Sequence, residues 1–131
     1  MAGPGRISAG PASPALVQVF GRRDSRDTQK ALRFFKERRF RVQFVDLATR
    51  PLARGEVRRF AERLGESALL DVAGRRYREL GLAYLRFAPG EVLERVLADP
   101  ALLRLPLVRC GNAVAIGPAE AAWKSWLPGA G

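Results

Sequence analysis

The sequence contains no histidine and only one cysteine, Cys110. Histidine is the usual general base near neutral pH and a common metal ligand. Its absence therefore disfavours both general-base catalysis and metal binding. A single cysteine excludes a disulfide bond within the chain and any metal site built from several cysteines. These two shortages exclude more functions than any one motif suggests, and we expect neither a metal nor a cofactor.

Long apolar runs are also missing, because no stretch approaches the roughly 20 residues needed to span a bilayer. The first fourteen residues, MAGPGRISAGPASP, are rich in Gly, Pro, Ala and Ser and lack the apolar centre of a signal peptide. We therefore predict a flexible tail over residues 1–14, a single domain over residues 15–131, and a cytoplasmic protein that does not contact a membrane.

Negative charge is scarce: 23 Lys and Arg residues face 13 Asp and Glu residues, for a formal net charge of +10. Such a balance makes nucleic acid a candidate partner. However, the chain has no aromatic RNP pattern, no GXXG clamp and no zinc-finger spacing. A solvated helix face is the commoner explanation of the excess between residues 22 and 41, so nucleic acid is not expected as a partner.

Short apolar runs alternate along the chain with stretches of helical periodicity. In order they predict a strand, a helix, a strand, a helix, a mostly helical middle, two strands in a hairpin, and a last helix. A strand–helix–strand order implies a parallel pair of strands with the helix packed across it. The predicted strands are 17–20, 40–47, 107–109 and 113–116, and the predicted helices are 30–36, 57–64, 89–97 and 118–126.

A polar loop leads from the first predicted strand into the first predicted helix. A helix that begins there directs unpaired backbone N–H groups at whatever occupies the loop, which suits an anion or a thiolate. Arg22, Arg23 and Arg26 surround this helix N-terminus, and guanidinium groups suit a small oxyanion such as phosphate or sulfate. Asp24 and Asp27 neutralise part of that charge.

Three residues of the loop are favoured types for capping the helix: Ser25, Asp27 and Thr28. Ser25 is not expected to act as a nucleophile, because a serine hydroxyl needs an adjacent base. No histidine is available, and aspartates near their ordinary pKa of about 3.9 are poor bases. We therefore interpret Ser25 as a cap or a packing residue of the loop.

The segment VFGRRDSRDTQKALRFFKERR resembles the start of the arsenate reductase (ArsC)-like family of the thioredoxin/glutaredoxin fold, which includes Spx-like regulators. The blocks LLD, YRELGL, DPALLRLPLV and GNAVAIG follow in the family's order and spacing. The resemblance covers residues 16–127 and implies an α/β thioredoxin-like fold: β-α-β-α, a helical insertion and β-β-α around a mixed four-stranded sheet. It also implies a cis peptide bond before Pro106, a minority form elsewhere.

The family's functional residues match this sequence poorly. The position of the reactive cysteine falls on Ser25, and the positions of two substrate-binding arginines fall on Asp71 and Leu105. Spx-like regulators carry a pair of cysteines three residues apart in this loop, at the positions of Ser25 and Thr28. The resemblance therefore implies a member of the family that lacks the redox cysteine.

We accordingly expect a non-catalytic binding or regulatory protein, such as an adaptor that contacts a protein partner through the basic first helix or its loop. Two alternatives stay open: an oxidoreductase of the arsenate reductase or glutaredoxin type acting through an unidentified residue, and an oxyanion or nucleic-acid binder. The predicted binding residues are Arg22, Arg23, Ser25, Arg26, Thr28 and Pro106, with no catalytic residue.

We expect the single cysteine and the two tryptophans to have structural and not functional roles. Cys110 is predicted at the hairpin turn beside Arg109, which is expected to lower its pKa somewhat. A lone thiol at a turn is usually incidental. Trp123 and Trp126 are three residues apart on the last predicted helix and are expected to share a packed face.

Overall fold

The computed structural model describes residues 16–127, and the predicted N-terminal tail lies outside the described residues. The strands are β1 (Leu16–Gly21), β2 (Arg41–Asp46), β3 (Leu107–Cys110) and β4 (Ala113–Ile116). The α-helices are α1 (Arg26–Glu37), α2 (Arg54–Leu64), α3 (Arg75–Glu79), α4 (Glu91–Ala98) and α5 (Glu120–Ser125). Three short 3₁₀ turns occupy Glu66–Leu69, Leu82–Tyr84 and Pro100–Leu102.

The four strands form one mixed sheet in the order β2-β1-β3-β4. β1 runs parallel to β2 and antiparallel to β3, and β3 runs antiparallel to β4. Successive side chains of a strand point to opposite faces, so both faces of the central strands are covered. Val19 packs in the apolar cluster that includes α1 and α5, whereas Phe20 packs in the cluster that includes α2 and α4. The expected α/β architecture and sheet are confirmed.

Helix α1 begins at Arg26 because Ser25 caps it. The Ser25 Oγ accepts a hydrogen bond of 3.2 Å from the backbone N–H of Thr28, which satisfies one of the donors left free at a helix start. The side chains of Ala31, Leu32 and Phe35 then fall on one face and are buried against the sheet. Of the three capping residues that the sequence allows, the structure selects Ser25.

Helix α4 begins later than the sequence predicts. Pro89 was expected in its first turn, but the helix starts at Glu91 after Gly90, whose φ is +86°. The carboxylate of Glu66, distant in sequence, accepts hydrogen bonds from the N–H groups of Gly90 (2.8 Å) and Leu93 (3.1 Å). The Glu66 carboxylate thus satisfies N–H groups at the start of α4 that a neighbouring side chain would otherwise cap. Helix α5 similarly begins two residues after Pro118.

We expect Glu66→Ala to lower the free energy of unfolding by about 1–2 kcal/mol, because two N–H donors of α4 lose a charged acceptor. Glu66→Gln should lose less, since the amide oxygen still accepts one of the bonds. Denaturant unfolding measures both losses. Glu62→Ala, an exposed carboxylate on α2, is the matched control and should change stability by less than about 0.5 kcal/mol. Equal effects at positions 62 and 66 would contradict the capping role.

The hairpin is shorter than predicted at its turn. Cys110 is the last residue of β3 and pairs with Ala113 and Val17, so only Gly111 and Asn112 form the turn. Gly111 has a φ of +61°, which favours glycine. The expectation that Arg109 lowers the pKa of Cys110 is wrong: the thiol is half-buried, and burial raises its pKa. The Arg109 side chain instead donates to the Gly111 carbonyl at 2.9 Å.

The Leu105–Pro106 peptide bond is cis, as expected. Pro106 is buried, and its carbonyl accepts a hydrogen bond of 2.8 Å from Gly117. Trp123 is fully buried, and Trp126 is partly buried and stacked on Phe35, so the expected packing of the last helix is confirmed. Among the helices of residues 16–127, none is long and apolar enough to cross a membrane.

Candidate functional site

A cleft of about 600 Å³ opens at the end of the sheet where β1 finishes and β3 begins. Three segments form its walls: the loop between β1 and α1, the chain after the first 3₁₀ turn, and the chain that leads into the cis peptide. The first segment contributes Arg22, Ser25 and Asp27, the second contributes Asp71, and the third contributes Leu105. The carboxyl end of a central strand thus lies at the mouth of this cleft.

Ser25, Asp71 and Leu105, the positions to which the resemblance assigns a cysteine and two arginines, all line this cleft. An isolated antiparallel bridge between Leu70 and Leu103 holds two of the walls together. Around it, the Asp71 N–H donates to the Leu102 carbonyl at 2.9 Å and the Arg104 N–H donates to the Leu69 carbonyl at 2.8 Å. The bridge therefore fixes Asp71 beside the chain that carries Leu105.

Ser25 sits at the cleft as a structural residue. Its Oγ accepts the hydrogen bond from Thr28 that caps α1, and its backbone N–H donates to the Arg22 carbonyl at 3.0 Å. Among the described residues, no side chain accepts a hydrogen bond from the Ser25 hydroxyl.

Thr28 lies behind the loop instead of in the cleft. Its side chain is fully buried, and its Oγ1 accepts a bond of 3.4 Å from the Arg22 N–H. Gly21 provides the space for it: a Cβ at position 21 would lie 2.6 Å from the Thr28 Cγ2 and closer still to its Oγ1. Thr28 and Pro106, both predicted binding residues, are buried and do not line the cleft.

The three arginines that the sequence places around the helix start point to different places. Arg22 lines the cleft, but its guanidinium makes two bonds of 3.0 Å to the Asp24 carboxylate. This hydrogen-bonded pair raises the pKa of Arg22 and lowers the pKa of Asp24. Arg23 instead pairs with Asp46 at 3.5 Å. Arg26 is exposed on α1 and does not line the cleft.

Arg104 is the cleft residue that the sequence analysis missed. Its guanidinium lies against Gly117, where a Cβ would be 2.5 Å from the Arg104 Nε. Within residues 16–127 no carboxylate lies within 4.0 Å of it, so it is the uncommitted cation of the cleft. The available signal was its place in LRLPLV, one residue before Leu105, where the resemblance looks for an arginine.

The cleft also presents carboxylate and backbone groups that the described residues leave free. Asp71 makes no ion pair or side-chain hydrogen bond within residues 16–127. In the same part of the chain, neither the N–H nor the C=O of Leu105 has a hydrogen-bond partner. Backbone groups without a partner in the protein can pair with water or with a ligand. No group of three or more Cys, Asp or Glu side chains in this part could hold a metal ion.

We expect a thiol placed at position 25 to be more reactive than the native thiol. In a Ser25→Cys/Cys110→Ser variant, the new thiol faces a helix N-terminus, whereas burial raises the pKa of Cys110 in the wild type. Iodoacetamide should therefore alkylate the variant several-fold faster than the wild type at neutral pH, because the reactive species is the thiolate. Equal or slower alkylation would mean that the loop does not favour a thiolate.

Comparison with known proteins gives a family and several structural relatives. The sequence model of the ArsC family matches residues 20–126. The structure is similar to that of the YFFB (PA3664) protein, with a TM-score of 0.78 and 21% identity over 86% of this chain and 99% of the other. It is also similar to the arsenate reductase from Vibrio cholerae, with a TM-score of 0.71 and 16% identity over 82% and 93% of the two chains.

A third relative is an arsenate reductase (ArsC) related protein from Brucella melitensis, with a TM-score of 0.65 and 20% identity over 89% of this chain and 98% of the other. None of the curated proteins compared is significantly similar. At these identities the structural similarities establish the fold alone. The expected thioredoxin-like fold is thereby confirmed.

Proposed function

Because this chain belongs to the ArsC family, we propose that it is a non-catalytic member that binds a ligand in the cleft and does not reduce arsenate. One observation carries the proposal: Ser25, Asp71 and Leu105 line the same cleft. The family resemblance assigns a reactive thiol and two arginines to those positions. A serine hydroxyl cannot form or exchange a disulfide, so it cannot supply electrons as a thiol does.

The charges of the cleft argue against a small oxyanion as its ligand. Three carboxylates, those of Asp24, Asp27 and Asp71, line it against two guanidinium groups, those of Arg22 and Arg104. Arg22 is already committed to Asp24, so Arg104 faces an excess of negative charge. A doubly charged oxyanion would meet repulsion from Asp71 at the position where an arginine would have attracted it.

A ligand with both an amino group and a carboxylate fits this cleft better. Asp71 would receive the positive group, and Arg104 the carboxylate. The free N–H and C=O of Leu105 would pair with a peptide group, since an extended peptide offers both a donor and an acceptor. A short peptide is therefore the ligand class that we assign, and binding it without chemistry is consistent with a regulatory role.

Tripeptides with free termini test the assignment. We expect Gly-Lys-Gly to raise the melting temperature more than Gly-Ala-Gly, and Gly-Glu-Gly to raise it least, because binding to the folded state stabilises it. Asp71→Arg should reverse that order and change the Kd of the lysine peptide about tenfold. Glu62→Lys, a charge change outside the cleft, is the control and should keep the order.

An arsenate reduction assay completes the test. With glutathione and glutaredoxin supplied, the wild type and Ser25→Ala should both stay at the rate of a protein-free reaction. Turnover that Ser25→Ala abolishes would overturn the proposal in favour of an oxidoreductase. A melting temperature that rises with millimolar arsenate and with none of the tripeptides would instead support an oxyanion binder.

A further inference from the structure

An apolar patch lies outside the cleft, on the chain that follows α3. The described residues include six large hydrophobic side chains that are exposed, and three of them fall within residues 80–85. These are Leu80 (40% exposed), Tyr84 (92%) and Leu85 (46%), which we call the Tyr84 patch. Single exposed apolar residues are common, but a cluster of them marks an interaction site.

The Tyr84 patch is held in place by the backbone, so its exposure does not come from a loose loop. The N–H groups of Leu80, Tyr84 and Leu85 donate to carbonyls three or four residues earlier, each at 3.1 Å. Gly81 has a φ of +63°, and the turn that it makes buries Leu82 while the flanking side chains stay outside. The Tyr84 ring lies beside this glycine, 3.9 Å from where a Cβ would stand.

Positively charged residues flank the Tyr84 patch in the sequence. Arg75, Arg78 and Arg86 are exposed, and none has a carboxylate within 4.0 Å among the described residues. The fourth arginine of residues 75–86, Arg76, is bound to Asp99 at 2.6 Å and to Glu79 at 4.0 Å. Three of these four arginines therefore have no carboxylate partner, although Arg78 donates a hydrogen bond of 2.8 Å to the Ala73 carbonyl.

We propose that the Tyr84 patch is a docking surface for an acidic segment of a partner protein that also carries apolar side chains. Protein interfaces combine a desolvated apolar centre, rich in tyrosine, with arginine and a polar rim. The three arginines without a carboxylate partner favour a partner segment of negative charge. This surface is separate from the cleft, so the inference does not rest on the proposed function.

The same observations disfavour other occupants. In a two-fold symmetric contact between two copies of the chain the same surface faces itself, so the arginines of one copy would meet those of the other. Nucleic-acid interfaces are polar and bind bases by stacking and hydrogen bonds. Leu80 and Leu85 provide neither, although Tyr84 would provide stacking.

Peptide display on the purified full chain tests the docking surface. We expect the selected peptides to be enriched in Asp and Glu together with Leu, Ile, Phe or Trp. The peptide that binds most tightly is then made synthetically. Tyr84→Ser and Leu80→Ser should each raise its Kd about tenfold. Leu64→Ser is the matched control, because Leu64 is 42% exposed on α2, and it should leave the Kd within about twofold.

Charge reversal separates the role of the arginines. Arg75→Glu should weaken binding of the peptide. Arg33→Glu, which makes the same charge change at an exposed position of α1, should not.

The proposal is overturned if the display yields no binders or no acidic enrichment, or if the control variants lose as much affinity. It is also overturned if a 20-nucleotide oligothymidylate or phosphatidylserine vesicles bind in a Tyr84-dependent way and the peptides do not. Asp71→Arg should leave peptide binding here unchanged, so failure of this surface and failure of the cleft proposal are distinguishable.

Discussion

Phe35→Ala is expected to lower the free energy of unfolding by about 3–5 kcal/mol. Phe35 is fully buried between α1 and the sheet. Its ring lies 5.0–6.0 Å from four other aromatic rings, counted between centroids: those of Phe34, Phe40, Trp123 and Trp126. Truncation removes the ring's burial and its edge-on contacts, and the rigid neighbours cannot collapse into the cavity.

Denaturant unfolding of the purified variant measures this loss from the shift of the midpoint at constant slope. Tyr84→Ala is the matched control, since it also truncates an aromatic side chain but at a position that is 92% exposed. That variant should change stability by less than about 0.5 kcal/mol. A loss below about 1 kcal/mol for Phe35→Ala would mean that the aromatic cluster under α1 is not tightly packed.

Gly21→Ala is expected to lower the free energy of unfolding by about 1–3 kcal/mol, because the added methyl group would overlap the Thr28 side chain. Thr28 is fully buried, so it has no free space into which it can rotate. Its backbone N–H is also the donor to the Ser25 cap. A displacement of Thr28 therefore disturbs the helix start and the wall of the cleft together, and binding of the lysine tripeptide should weaken as well.

Two further variants isolate the steric cause. Gly55→Ala adds the same methyl group on α2 where no atom lies within 4 Å, and it should stabilise the protein by about 0.5–1 kcal/mol through helix propensity. Thr28→Ala combined with Gly21→Ala removes the overlapping atoms, so the double variant should lose less stability than the sum of the singles, by about 1 kcal/mol. Additive losses would show that position 21 acts through something other than Thr28.

Local patterns in the sequence predict much of the fold. Short apolar runs predict the four strands, the second of them by alternation, and the three-and-four spacing of its apolar residues predicts the second helix. A loop rich in capping residues predicts the start of α1, and the structure shows Ser25 in that role. The cis bond before Pro106 was implied by the family resemblance alone, because no local pattern distinguishes it from a trans proline.

Two errors in the prediction come from the tertiary structure. Helix α4 starts at Glu91 because the carboxylate of Glu66 reaches its first N–H groups. The pKa of Cys110 is raised because β3 carries the thiol into a half-buried position, where desolvation disfavours the thiolate. Neither effect can be obtained from a local window of sequence.

The candidate site can likewise be predicted only in part from the sequence. The sequence identifies the loop of Ser25 and, by resemblance, the departures at Asp71 and Leu105. It does not show that Arg22 is committed to Asp24 or that Arg104 stands uncommitted in the cleft. Those facts depend on which charges become neighbours when three distant segments meet.

By itself, then, the sequence determined the order of the elements, the family resemblance and the serine at position 25, because periodicity, capping and residue identity are local properties. The tertiary structure alone decided that Ser25, Asp71 and Leu105 share one cleft with Arg104, and that Leu80, Tyr84 and Leu85 stay outside the core. Charge balance, burial and free hydrogen-bonding groups are properties of a three-dimensional arrangement, because each depends on which residues the fold brings into contact.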